Sequence, residues 1–171
     1  PRRPVPPAEL VSALINHYAR ERRPSEDTPL EVAFFHGGIP TDDLLEAAAP
    51  HAIRLATLPG DLTPQLARHL WHRGVRTLEL DIASPHTAIR RGLQRRHSRA
   101  RLDRQLAGLR DLGFRLGLVL CPGLPGASHQ SALEAADWAV GRCDFVRIHP
   151  ALAWAGAKAE AWVESGRWTP M

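Results

Sequence analysis

Cysteine is scarce in this 171-residue sequence, which contains only Cys121 and Cys143. The two residues lie far apart in the chain and form no CxxC pair, so the sequence encodes neither a disulfide framework nor a self-contained zinc or iron–sulfur site. We interpret both as buried or idle thiols. His69 and His72 have the spacing of one helix face, but no third ligand is near them in sequence, and no metal site is predicted.

Long apolar runs are also missing. No stretch approaches the ~20 residues that a helix needs to span a bilayer. The opening PRRPVPP lacks the apolar segment of a secretory signal. A cytoplasmic protein without a membrane partner is therefore expected. The length and the apolar content of 44% fit one domain over residues 1–171.

Lysine is almost absent, since Lys158 is the only one, and the formal charge of +4 comes from arginine. One dense arginine cluster lies between Arg90 and Arg104. Such a cluster can contact RNA phosphates, in which case binding falls steeply with salt, or it can be a solvated helical face. The solvated face is the favoured interpretation, and a tRNA partner stays open. The sequence predicts no oligomeric state.

Apolar segments and helical periodicity alternate along the whole chain. Strands are predicted at residues 30–35, 52–57, 76–82, 114–120 and 145–148. Helices are predicted at residues 8–22, 41–49, 63–73, 98–112, 127–140 and 156–164. Thr41 and Thr63 are placed as N-caps, and Gly74, Gly113 and Gly166 as helix ends.

Short apolar strands that alternate with helices indicate parallel strands joined by right-handed crossovers. Periodicity alone leaves an open doubly wound sheet and a barrel as alternatives. Because the series opens on a helix, a complete barrel would have a further strand before Ala8. An ordinary phosphate- or nucleotide-binding α/β domain is a third interpretation, and it predicts an open sheet.

Four segments in order resemble one family. They are FFHGG at residues 34–38, ELDIAS at 79–84, RRHS at 95–98 and PGLPG at 122–126. Together they resemble radical SAM enzymes, including the oxygen-independent coproporphyrinogen oxidases. A fifth segment, residues 144–170, is similar to the barrel end of the Elongator catalytic subunit and its shorter bacterial relatives. The resemblance covers almost the whole chain.

The resemblance implies a partial (βα)6 TIM-like barrel whose first strand, with the CxxxCxxC loop that follows it, lies before Pro1. In the family, three thiolates of that loop hold a 4Fe–4S cluster, which cleaves S-adenosylmethionine (SAM) reductively to a 5′-deoxyadenosyl radical. SAM is thus the implied cofactor, and the cluster is implied only if cysteines lie upstream of Pro1. The implied substrate is a tRNA nucleoside or another small molecule.

The residues that the resemblance assigns to SAM lie at or near the ends of predicted strands. They are Gly37, Gly38, Glu79, Ser84, Arg95, Gly123, Leu124 and Pro125. Glycine lets backbone groups approach a ligand, and an arginine fork suits a carboxylate or ribose oxygens. The structural alternatives are plain turns for the glycine motifs, a helix cap for Ser84, and pairing of Glu79 with an arginine or a backbone donor inside the barrel.

Arg147 and His149 are the candidate substrate contacts. They alternate with Val146 and Ile148, so both are expected on the face opposite to that aliphatic pair, towards the barrel lumen. A structural histidine is the favoured interpretation of His149. No catalytic residue is assigned.

Several positions depart from the family pattern. Ala56, Ala83 and Val119 stand where relatives carry polar side chains that contact SAM, and Leu58 replaces a common arginine. Each ribose hydroxyl left unpaired would cost ~1–3 kcal/mol. Two functions therefore stay open: a radical SAM enzyme core, and a diverged barrel without cluster or cofactor that serves as a binding or scaffold module.

Overall fold

Five parallel strands form a single curled sheet. The computed structural model describes residues 7–22, 25, 29–35, 38–49, 51–93, 97–153, 156 and 158–169. The strands pair in the order in which they occur in the sequence: β1 (Glu31–Phe34), β2 (Ala52–Thr57), β3 (Val75–Ala83), β4 (Arg115–Leu120) and β5 (Phe145–Ile148). A doubly wound sheet needs a reversal of strand order, which the described sheet lacks. The sheet is half of a barrel, so the barrel prediction is confirmed and the open-sheet alternatives are wrong.

The described residues form seven α-helices. They are α1 (Ala8–Arg22), α2 (Asp42–Ala48), α3 (Pro64–His72), α4 (Thr87–Gly92), α5 (Arg99–Asp111), α6 (His129–Ala139) and α7 (Lys158–Glu164). All except α4 were predicted. The segment TAIRRG of α4 ends on glycine and is too short to give a periodic apolar signal. None of the described helices has the length and the apolar content that crossing a bilayer requires.

Local capping sets where the crossovers begin and end. The Thr63 hydroxyl accepts a hydrogen bond from the Leu66 amide at 3.1 Å, as predicted for the start of α3. Thr41 occupies the N-cap position of α2 but its side chain makes no capping bond. Gly74 and Gly113 follow α3 and α5 with φ of 91° and 96°, in the left-handed region that favours glycine.

The main core lies on the outer face of the sheet, beneath the helices. Its strand residues include Leu55, Leu78, Leu80, Ile82, Leu116 and Leu118, each of which is at most 1% exposed. Because side chains alternate along a strand, Thr77 and Glu79 of β3 point the opposite way, to the concave inner face. Both are also buried, so the middle of the sheet is covered on both sides.

Candidate functional site

Most of the predicted ligand contacts that the structure describes follow the carboxyl ends of strands. Gly38 follows β1, Ser84 follows β3, the turn Gly123 to Pro125 follows β4, and His149 follows β5. Parallel strands end at the same edge of a sheet, and this edge, called the rim below, is where α/β barrels place their ligands. Two predicted contacts, Gly37 and Arg95, lie outside the described residues.

Glu79 lies below the rim on the inner face and is bound by two arginines. Arg147 donates from Nε to Oε2 at 2.7 Å and from Nη2 to Oε1 at 2.9 Å, and Arg54 donates from Nη1 to Oε1 at 3.1 Å. Burial raises the pKa of Glu79, but the hydrogen bonds from Arg147 and Arg54 outweigh it and hold that pKa below its usual range. The carboxylate is therefore ionised and occupied by partners within the chain.

The arginines that bind Glu79 are themselves fixed. Arg54 also pairs with Glu31 of β1, and its guanidinium lies 5.5 Å from the centre of the Phe145 ring. Arg147 lies 5.0 Å from the centre of the Phe35 ring. Arg147 thus points into the lumen as expected, but what it contacts there is Glu79. Arg54 was not predicted as a site residue, although a charged residue inside the apolar strand AIRLAT was a usable signal.

Ser84 is held in a strained turn at the rim. Its amide donates to the Ile82 carbonyl at 2.7 Å across Ala83, which has φ of 60°, an unfavourable value for a residue other than glycine. Its hydroxyl accepts from the His86 amide at 3.1 Å. The helix-cap interpretation is wrong, because α4 begins at Thr87 and its N-cap residue is His86.

Arg90 is buried beneath this turn, with 1% of its surface exposed. It donates to the Ser84 carbonyl at 2.6 Å and to the His97 carbonyl at 2.7 Å and 3.2 Å. Burial, and then the charge of Arg99, lower the pKa of Arg90. The expectation that Arg90 belongs to a solvated or RNA-binding face is therefore wrong. Its role is to tie the end of β3 to the start of α5.

Arg90→Lys is expected to lower the free energy of unfolding by about 1–2 kcal/mol. A single ammonium group cannot reproduce the fork that reaches both carbonyls, so one buried acceptor loses its partner. Urea unfolding followed by circular dichroism measures the change. Arg91→Lys is the matched control, since Arg91 is the exposed neighbour on the same helix and its replacement should change stability by less than about 0.5 kcal/mol. Equal losses of stability in the two variants would contradict the conclusion that Arg90 ties the end of β3 to the start of α5.

The glycines of the PGLPG turn have positive φ angles, which other residues rarely adopt. Gly123 and Gly126 have φ of 81° and 80°. The Gly123 carbonyl accepts a hydrogen bond from Trp168 Nε1 at 2.7 Å, so this oxygen is already partnered. Leu124 is 9% exposed and packs in a small apolar cluster at the rim, apart from the main core, with Ala83 and Trp168. Contact of the turn with SAM remains a prediction.

The backbone around His149 continues the pairing of β4 and β5 beyond the strands. The His149 amide donates to the Leu120 carbonyl at 2.9 Å, and the Ala151 amide donates to the Pro122 carbonyl at 3.0 Å. The imidazole is exposed at the rim. A substrate contact by this ring remains a prediction. The two backbone hydrogen bonds hold the segment that carries the ring against the end of β4.

No protein-family model and no curated protein sequence matches the chain. Among solved structures, Elp3 of the archaeon Methanocaldococcus infernus, with residues 1–46 deleted, matches with a TM-score of 0.78 at 18% identity, over 94% of this chain and 45% of that one.

Two further structures match over most of the chain. Coproporphyrinogen III oxidase (HemN) of Escherichia coli, a radical SAM enzyme, has a TM-score of 0.61 at 16% identity, over 75% of this chain and 30% of that one. TsrM of Kitasatospora setae, a radical SAM methyltransferase with cobalamin and a 4Fe–4S cluster bound, has a TM-score of 0.55 at 13% identity, over 84% and 25%. The chain has the same barrel fold as these proteins.

The chain spans less than half the length of each of these three proteins. Two of the apolar residues singled out in the sequence lie on the inner face of its sheet. Ala56 pairs in register with Glu79, and Val119 pairs with Asp81 and Arg147. None of these apolar side chains offers a hydrogen bond to a ligand.

The two cysteines of this chain do not fit a 4Fe–4S cluster, which is held by more than two cysteine thiolates. Cys121 follows β4 at the rim, whereas Cys143 precedes β5 at the opposite end of the sheet. Cys143 donates to the Ala139 carbonyl, and burial, then Asp144, raise the pKa of its thiol. Among the described residues no group of histidines, cysteines and carboxylates is arranged for a metal ion.

Proposed function

We propose that the chain is the SAM-binding wall of a radical SAM enzyme. The observation that supports it best is the common position of Gly38, Ser84 and the turn from Gly123 to Pro125, which follow three strands of this barrel and end at one rim. Catalysis is proposed only for a polypeptide that also supplies three cluster thiolates. A tRNA nucleoside or another small molecule is the proposed substrate class.

Different rim residues would bind SAM in different ways. Gly38 has open space where a Cβ would stand, so its backbone can approach a ligand closely. The Ser84 hydroxyl accepts from His86, and its proton is given no acceptor by the residues described, so it can donate to a carboxylate or ribose oxygen of SAM. Glu79 would act indirectly, by fixing Arg54 and Arg147 beneath the ligand.

Gly38→Val is expected to weaken SAM binding by about tenfold or more, which corresponds to ~1.4 kcal/mol. Apart from its chain neighbours, no described residue has an atom within 4 Å of the position of its Cβ, so the valine should occupy ligand space without disturbing the fold. Titration calorimetry of the full chain with SAM measures the change. Gly92→Val is the control, because Gly92 has the same open surroundings but lies at the end of α4.

The Gly92→Val chain should bind SAM as the unaltered chain does. No heat of SAM binding to the unaltered chain, or equal weakening by both substitutions, would contradict a SAM site at this rim. No 5′-deoxyadenosine is expected from this chain alone, because its two cysteines cannot hold the cluster.

A second candidate function is a binding or scaffold module that has lost the cofactor. The apolar residues Ala56, Ala83 and Val119 favour it, as does the occupation of Glu79 by arginines. It predicts a stably folded chain that does not bind SAM. In the described part of the arginine cluster, Arg91, Arg99, Arg101 and Arg104 are exposed and could contact an RNA partner, whose affinity should then fall steeply with salt.

A further inference from the structure

We infer that two copies of this chain join edge to edge, so that α1 and β1 of one copy pack beside β5 and α6 of the other. β1 and β5 are the edge strands of the described sheet, and each consists of four residues. Edge strands carry backbone groups that can pair with a further strand. Because the sheet is parallel, the β1 edge of a second copy continues it at β5 in the same direction. This association does not depend on SAM binding.

One side of α1 is apolar and exposed. Leu10, Leu14 and Tyr18 follow one another at a spacing of four residues, so they form a stripe along the helix, and they are between 48% and 60% exposed. Val11 and Ile15 are half-buried on the neighbouring side, where α1 packs on α2 and Ile15 contacts the main core. The stripe is therefore not what holds α1 to its own chain.

A second exposed apolar surface lies at the other edge of the sheet. Val146 and Ile148 of β5 pair in register with Leu118 and Leu120 of β4, so they point to the outer face, and they are 41% and 64% exposed. Leu133 of α6 and Ile148 line one cavity, so α6 and β5 form a continuous surface. Contiguous exposed apolar surface of this kind marks a contact with another molecule.

The two surfaces supply what each other lacks. A helix that joins two parallel strands packs on the outer face of both, as α2, α3, α5 and α6 do in this sheet. α1 precedes β1 in the same way, but among the described residues no earlier strand lies beside β1 for its exposed stripe to cover. β5 has the opposite lack, because its outer residues are exposed. β5 of a second copy, placed next to β1, brings the stripe and the uncovered strand together.

The charges at the ends of these surfaces are opposite in sign. α1 and α6 both precede a strand of a parallel sheet, so in the joined copies they lie side by side and point the same way. Arg22 ends α1, and its guanidinium lies 5.6 Å from the centre of the Tyr18 ring. Asp137, near the end of α6, and Asp144, just before β5, are exposed at the matching level. An arginine opposite two carboxylates favours this pairing, whereas two α6–β5 surfaces facing each other would oppose carboxylates.

The curl of the sheet sets the number of copies at two. Each sheet is half of a barrel, so the contact between β5 and β1 repeats at the other edge and closes the assembly around a two-fold axis. Closure gives each copy two contacts and leaves neither edge free. A stable dimer buries about 800 Å² per partner, and the two contacts together contribute to that area.

Sedimentation velocity of the full chain over a dilution series tests the association, and the expected species has twice the mass of one chain. Leu14→Asp and Ile148→Asp each place a carboxylate in both contacts and should raise the dissociation constant of the dimer by about tenfold or more. Ala107→Asp, at an exposed site on α5 away from both edges, should leave that constant within about twofold. Circular dichroism checks that each variant is folded. Val140→Asp, at a site after α6 that is 74% exposed, replaces Ile148→Asp if the latter does not fold.

A mixture of the two variants distinguishes this arrangement from other dimers. A dimer of one Leu14→Asp chain and one Ile148→Asp chain keeps one unaltered contact, between the β5 surface of the first and α1 of the second. The mixture should therefore dimerise about tenfold more tightly than either variant alone. If two β5 surfaces met instead, Leu14→Asp alone would dimerise like the unaltered chain and mixing would restore nothing.

Several results would overturn the joined arrangement. They are a monomer at every concentration, species larger than a dimer, an equal loss in the Ala107→Asp chain, and a variant mixture that dimerises no better than its components. A dimer of a chain that does not bind SAM would sustain the arrangement and refute the proposed function. A monomer that binds SAM would do the reverse.

Discussion

Glu79→Gln is expected to lower the free energy of unfolding by about 3 kcal/mol. Glu79 is 1% exposed and compensates the charges of Arg54 and Arg147, so the neutral amide leaves both cations short of a partner. Breaking a buried ion pair from one side typically costs about 3–5 kcal/mol. The lower end applies because the Arg147 side chain is 38% exposed and reaches water. Urea unfolding at neutral pH measures the loss.

The pH dependence of this loss identifies its cause. The pKa of Glu79 is lowered in the folded chain, so its ionised form adds stability above the usual glutamate range and that stability disappears as the pH falls through the lowered value. The difference between the original chain and Glu79→Gln should therefore shrink below about pH 4. Glu46→Gln, at an exposed site on α2, is the control and should stay within about 0.5 kcal/mol. A difference that did not change with pH would contradict the ion-pair explanation.

The sequence was sufficient for the order and type of most elements, because each strand and helix carries its own local signal. The apolar run of β2 and the Thr63 cap of α3 are readable without knowledge of their neighbours. Curvature is not a local property. Strand–helix alternation is common to barrels and open sheets, and only the sequential pairing of β1 to β5 separates them.

Long-range partners explain what sequence reasoning missed at the site. A partner for Glu79, either an arginine or a backbone donor, was expected from the sequence, but the arginines that bind it come from positions 25 and 68 residues away in the chain. Arg90 was grouped with its exposed neighbours because composition cannot tell a buried arginine from a solvated one. The carbonyls that accept its hydrogen bonds become neighbours only when the end of β3 and the start of α5 fold together.

Gly117→Ala is the second substitution with a large expected effect, a loss of about 2–3 kcal/mol in the free energy of unfolding. Gly117 lies in the middle of β4 and pairs in register with Phe145 of β5, whose ring covers it. A Cβ at this position would lie 2.5 Å from Phe145 Cε2, closer than real contacts allow. The ring cannot move freely, because the guanidinium groups of Arg54 and Arg115 lie 5.5 Å and 5.1 Å from its centre.

Removal of the ring should abolish the penalty. In a Phe145→Ala chain, Gly117→Ala is expected to be neutral or to stabilise by about 0.5 kcal/mol, since alanine suits the interior of a strand better than glycine does. The two substitutions should thus be strongly non-additive in a double-mutant cycle measured by urea unfolding. Additive losses would mean that the methyl group is accommodated in some other way and that the ring does not set the requirement for glycine. Non-additivity would establish that the inner face is closely packed beneath the rim, where ligand-bearing turns need a rigid base.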